Sequence, residues 1–132
     1  LAAGGEPGAV KLPVAVARGR EKGNLGISFS GPCSAAMREL DAGRRPADVA
    51  LGVLECVGRS AAALCVSGVR ATGLCEVLAS GGVASNSVIR GIMQREVVGA
   101  VPRSSLYFAA PRHSRDNAVG VALLALKTHI DD

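Results

Sequence analysis

The stretch EVLASGGVASNSVIR, residues 76–90, decides how this chain is read. The short apolar run over residues 74–80 reads as a buried strand, and it breaks at Gly81 and Gly82. From Asn86 to about Arg95, Val88, Ile89, Ile92 and Met93 then recur at helical spacing. A strand that ends in two glycines before a helix leaves main-chain N–H groups uncovered at the positive end of the helix dipole. Glycine adds no Cβ and accepts positive φ, so a ligand can come close to the backbone there, as in a phosphate or nucleotide cradle. The same spacing also suits a plain structural turn. Asn86 likewise has two readings: its amide caps the helix, or offers a donor and an acceptor to a sugar or purine edge.

Downstream of that unit, residues 104–110 (SSLYFAA) read as a second strand, PRHSR as a loop, and residues 116–128 as a second helix of small residues. Asp116 and Asn117 fall where this loop turns into the helix. A carboxylate placed there either caps the helix or points from the sheet end toward a ligand. His113 lies three residues before Asp116, but one imidazole and one carboxylate do not complete a metal site, and Arg115 between them would repel a cation.

Upstream, residues 46–68 hold the most regular helical pattern. Pro46 suits a first turn, Asp48 sits near the positive helix end, and Ala50, Val53, Leu54, Val57, Ala61, Leu64, Cys65 and Gly68 form one core-facing stripe. Before it, LGISFSGPCSAAMREL alternates around Phe29, breaks at Gly31 and Pro32, and turns helical from about Ser34. Residues 19–24 form a polar turn, residues 1–9 a loop, and the piece between them is a short helix or extended segment limited by Pro13. The order of strands and helices predicts an α/β fold with one core.

Composition narrows the function classes. A chain of 132 residues with 48% apolar content and mean hydropathy +0.31 folds as one domain or subdomain. Phe29, Phe108 and Tyr107 are its only aromatic residues, which argues against a single-stranded nucleic-acid binder that works by base stacking. The net charge of +4 is compatible with a polyanionic partner, but the plainer reading is solvated surface charge, concentrated only at Arg44 with Arg45 and Arg112 with Arg115. Cys33, Cys56, Cys65 and Cys75 show no CxxC spacing and read as reduced thiols. No uninterrupted apolar run reaches the roughly 18 residues of a membrane span and no signal core is present, so the expected location is cytoplasmic, with no membrane partner. Ser28 and Ser30 have no nearby His and lie outside any GxSxG elbow, which removes a serine hydrolase reading. The first residue is Leu, and the expectation is a piece of a longer protein.

Three motifs in order, SFSG (residues 28–31), SGGVASN (residues 80–86) with Arg90 following, and FAAPRHSRDNAVGVA (residues 108–122), resemble the C-terminal half of the TsaD family. These are the tRNA adenosine threonylcarbamoyltransferases, formerly described as O-sialoglycoprotein endopeptidases or glycoproteases. The resemblance covers essentially the whole chain. It implies an actin/Hsp70/sugar-kinase-like ATPase fold, with residues 1–132 as the second of two lobes. It implies transfer of a threonylcarbamoyl group from threonylcarbamoyl-adenylate to an adenosine amine of tRNA. Gly81, Gly82, Asn86 and Gly8 would line the adenine-nucleotide site, for threonylcarbamoyl-adenylate or ATP. Asp116 would be the carboxylate ligand of an iron or zinc ion whose two His ligands, an HxxxH pair in the first lobe, this chain lacks. Partners implied are tRNA, other proteins of the threonylcarbamoylation machinery and a possible dimer.

Ala9 stands where the family's PGG motif ends in glycine. Pro32, Cys33 and Ser34 replace the usual Leu-Lys-Thr, and Ser114 and Arg115 replace Cys-Thr before the DN pair. These departures suggest a divergent paralogue. They keep two alternatives open: a non-catalytic scaffold or dimerisation partner, and an ATP-dependent small-molecule kinase of the same fold superfamily.

Overall fold

The computed structural model describes residues 1–15, 17–18 and 25–110. The polar turn expected at residues 19–24, the loop carrying His113, the metal-ligand candidate Asp116 and the helix expected over residues 116–128 lie outside the described residues.

The central element is α2, Pro46–Thr72, a 27-residue helix with Pro at its first turn. It separates two packed clusters. On one side Val49 and Cys56 meet Val10, Leu12 and Ala36. On the other, Ala62 and Val66 meet Ile89, Met93, Val97 and Leu106, with Leu54, Val57, Ala61 and Cys65 packed at the edge. By length and composition α2 could also cross a membrane, with a window of mean hydropathy 1.7. It carries an ion pair between Glu55 and Arg59 at 2.8 Å.

The first side of α2 is covered by an extended strap, residues 10–15, where the sequence left helix and extended chain open. Three side chains of α2 meet the chain there and just before it. Asp48 Oδ1 accepts the Glu6 N–H at 2.8 Å. Cys56 Sγ donates to the Pro13 carbonyl at 3.1 Å. Ser60 Oγ accepts the Ala15 N–H at 2.9 Å while donating to the Cys56 carbonyl at 2.7 Å. These bonds satisfy a backbone that forms no sheet along this stretch. The contact requires small residues on the helix: a Cβ at Gly52 would come within 2.7 Å of the Val10 carbonyl oxygen. The core stripe read from the sequence is therefore corrected. Val53 is 38% exposed, while Gly52 and Ser60 are buried under the strap by close backbone approach and hydrogen bonding rather than apolar bulk, and Gly58 is buried against Ile92 of the facing helix.

Helix α1, Ser30–Asp41, begins four residues earlier than the sequence suggested and includes Gly31 and Pro32. Proline in the first turn forfeits no hydrogen bond, because the first N–H groups of a helix have no intrahelical partner. The first closing bond runs from the Cys33 N–H to the Phe29 carbonyl at 2.9 Å. Between α1, α2 and Leu12 lies an open apolar groove of about 450 Å³, and Val53 lines it. Two short strands, β1 (Ala17–Arg18) and β2 (Leu25–Gly26), pair antiparallel nearby.

The second side of α2 is covered by a strand–helix–strand unit. Strands β3 (Glu76–Ala79) and β4 (Ser105–Phe108) pair in parallel, with α3 (Ser87–Ala100) as the crossover. In the register, Val77 faces Leu106 and Ala79 faces Phe108, and these four residues belong to or pack against the α2–α3 cluster. The alternate pair, Leu78 and Tyr107, is 71% and 52% exposed. The strand expected to be buried at residues 74–80 is thus covered on one face only among the described residues, although parallel sheets are ordinarily covered on both.

Candidate functional site

Parallel pairing places the carboxyl ends of β3 and β4 side by side, and the Ala109 N–H continues the ladder to the Ala79 carbonyl at 3.0 Å. The loop of residues 80–86 and the chain leaving Phe108 toward Asp116 therefore depart from the same end of the sheet. In open α/β sheets that end is where ligands bind.

Gly81 has φ of 106°, a conformation that disfavours any residue with a Cβ. Gly82 differs. Its φ is −59° in the right-handed helical region, and a Cβ there would meet nothing within 4 Å. The fold itself thus demands glycine at 81 and not at 82. A single 3-10 turn, Val83–Ser85, joins the glycines to α3. Ser85 N–H reaches the Gly82 carbonyl at 3.2 Å and Asn86 N–H the Val83 carbonyl at 3.1 Å. The N–H groups of Gly82, Val83 and Ala84 make no hydrogen bond among the described residues. These are the uncovered donors that the sequence pattern anticipates.

Asn86 is the cap of α3: its Oδ1 accepts from Val88 N at 3.0 Å and from Ile89 N at 3.3 Å. The structural reading of this residue holds, and the oxygen is committed to it. The amide nitrogen takes no part in the cap.

Gly8 has φ of 75° between Pro7 and Ala9, and the Ala9 N–H donates to the Glu6 carbonyl at 3.2 Å. Proline second and a left-handed glycine third are the pattern of a type II turn. Pro7 of this turn lines a partly polar groove of about 430 Å³ together with Ser87 and Val88 of α3 and with Arg59 and Arg95. The structure therefore brings the turn of residues 6–9 to the first turn of α3. Gly81 and Gly82 are not part of that lining.

No local pattern in the sequence gives Arg90 a role. Its Nη2 donates to the Ala109 carbonyl at 3.2 Å, and its guanidinium carbon lies 4.7 Å from the Phe108 ring centroid. The pairing depends on the parallel register, which no local pattern in the sequence encodes.

Some charges elsewhere are paired. Arg44 pairs with Glu39 at 3.3 Å, and Arg45 pairs with Asp48 at 3.8 Å and donates to the Gly4 carbonyl at 3.2 Å. All four cysteines are free thiols. Burial pushes the Cys65 thiol up from its ordinary value, opposed by a smaller backbone hydrogen bond. Among the described residues no three His, Cys, Asp or Glu side chains are grouped to hold a metal ion, so the residues in view do not by themselves fit the iron or zinc implied by the resemblance.

The profile of the TsaD family, described as tRNA N6-adenosine threonylcarbamoyltransferase, matches residues 1–123. The chain belongs to the TsaD family. It is 35% identical over 122 residues to a probable bifunctional tRNA threonylcarbamoyladenosine biosynthesis protein of Natronomonas pharaonis, covering 91% of this chain and 21% of that protein. It is 34% identical over 103 residues to a protein of the same description from Halobacterium salinarum, covering 78% and 19%. A tRNA N6-adenosine threonylcarbamoyltransferase of Caldivirga maquilingensis is 29% identical over 107 residues, covering 79% and 32%. This TsaD-family chain thus spans about a fifth to a third of the length of the curated relatives it matches.

Proposed function

We propose that this chain is the C-terminal portion of a transferase of tRNA threonylcarbamoyladenosine synthesis, folded as the second lobe of an actin-like protein. Its ligand would be threonylcarbamoyl-adenylate or another adenine nucleotide. One observation carries this reading: the parallel register of β3 and β4, which brings the 80–86 loop and the chain leading to Asp116 to one sheet end. Family membership and the names of the relatives supply the reaction class.

In this reading the free N–H groups of Gly82, Val83 and Ala84 donate to phosphate oxygens, reinforced by the amino-terminal dipole of α3. When an amine attacks the carbamoyl carbon, the bond to the adenylate breaks and negative charge grows on the departing phosphate. Donors already fixed in position stabilise that charge without reorganising. Asn86 contributes through its amide nitrogen, since its oxygen caps the helix. Asp116 would supply one carboxylate to a metal whose two imidazole ligands would come from the other lobe. The tRNA and partner proteins of the pathway engage the complete two-lobed protein, and the chain alone is expected not to turn over.

The test is titration of the 15N-labelled chain with AMP at millimolar concentration. Shifts at the amides of residues 81–86 are expected. If no resonance moves in the folded chain, the nucleotide reading falls and the scaffold alternative takes its place.

A further inference from the structure

The Ala109 peptide is held from both sides. Its N–H is bound by Ala79, the last residue of β3, and its carbonyl by Arg90, in the first turn of α3. Phe108, the residue before it, lies under the same guanidinium. The half-buried Arg90 is four residues beyond the Asn86 cap and belongs to the helix whose amino terminus the 80–86 loop feeds. That loop runs directly into the start of α3, so a displacement that carries the helix start also carries the guanidinium that grips the exit of β4. An arginine suits this task because its planar group stacks on a ring while one N–H bonds in its own plane.

We propose that Arg90 is a positioning residue that couples the two loops at the carboxyl end of the sheet, so that a nucleotide bound at residues 81–86 fixes where the chain leaves β4 toward Asp116. This rests on the nucleotide reading above, and goes beyond it in assigning the link between the loops to one side chain.

The experiment follows amide shifts in the 132-residue chain on addition of AMP, for the native sequence, Arg90→Gln and Phe108→Leu. In the native chain AMP moves the amides of residues 81–86 and, through the coupling, those of Ala109 and Ala110. In Arg90→Gln the response at residues 81–86 persists and the response at Ala109 and Ala110 is lost. Phe108→Leu, which removes the ring but keeps an apolar strand residue, weakens the remote response and decides the matter if Arg90→Gln does not fold. Unchanged amide positions at Met93 and Val97 separate lost coupling from a disturbed core. An undiminished response at Ala109 and Ala110 in the variants overturns the coupling while leaving nucleotide binding intact. Absence of any response at residues 81–86 in the native chain overturns the nucleotide reading and this inference together.

Discussion

Asn86 caps α3 and, in the proposed function, also meets the nucleotide, and substitution separates the two. Asn86→Ala removes the oxygen that accepts from Val88 N and Ile89 N, leaving two first-turn donors of α3 without a protein partner. Loss of such a cap costs about 1 kcal/mol. With an unfolding entropy of about 2.1 cal/mol/K per residue, 132 residues give about 280 cal/mol/K, so the variant melts about 4 °C lower. Asn86→Asp keeps the acceptor and adds a negative charge at the positive helix end, worth about 0.3–1 kcal/mol in favour of the fold. Its melting temperature therefore matches or exceeds that of the native chain. It lacks the amide N–H donors, however, and sets a carboxylate beside the proposed phosphate site. AMP affinity should fall in both variants while stability falls only in the first. Thermal melts by circular dichroism, paired with AMP titrations, read the two quantities separately. A melt unchanged in Asn86→Ala refutes the cap, and native AMP affinity in Asn86→Asp refutes the role of the amide nitrogen.

The two glycines of the loop should also diverge. Gly81→Ala is strained by its φ of 106° and costs about 1–3 kcal/mol in a denaturant titration, whereas Gly82→Ala stays within about 0.5 kcal/mol and shows its effect in AMP affinity. Ser60→Ala strands the buried Ala15 N–H at a cost of about 1–3 kcal/mol, and hydrogen exchange at Ala15 accelerates ahead of exchange in α3. Exposed Cys33 and Cys75 react with a thiol reagent at neutral pH well before Cys56 and Cys65. Because burial raises the Cys65 thiol above 9.0, its unfolded form releases a proton first; the contribution to stability is complete below pH 9.0 and declines above it, a decline that Cys65→Ala flattens.

Where one local period decides the outcome, the sequence is readable, and where two surfaces compete, it is not. The positions of β3 and β4 and the start of α3 follow from apolar runs bounded by glycine and by the Asn86 cap, though α3 runs on to Ala100, past the expected end near Arg95; the strand–helix–strand order implies a parallel pair. Helix α2 is legible as a helix, but its buried set is not, because it serves two clusters and a backbone strap. Gly52, Cys56 and Ser60 lie under that strap for reasons of size and hydrogen bonding, which an apolar period does not score. Leu78 and Val77 look alike in sequence, yet only Val77 packs on the core, because the α2–α3 layer covers one face of the sheet. The same distinction governs the candidate site. Gly81, Gly82 and Asn86 are adjacent along the chain and visible as a motif, while Arg90 acquires a role only when the register of two distant strands sets Phe108 and Ala109 beside it. Candidate residues grouped by local geometry are therefore found by pattern, whereas a residue that reaches a distant strand end, as Arg90 does at Ala109, is found only through topology.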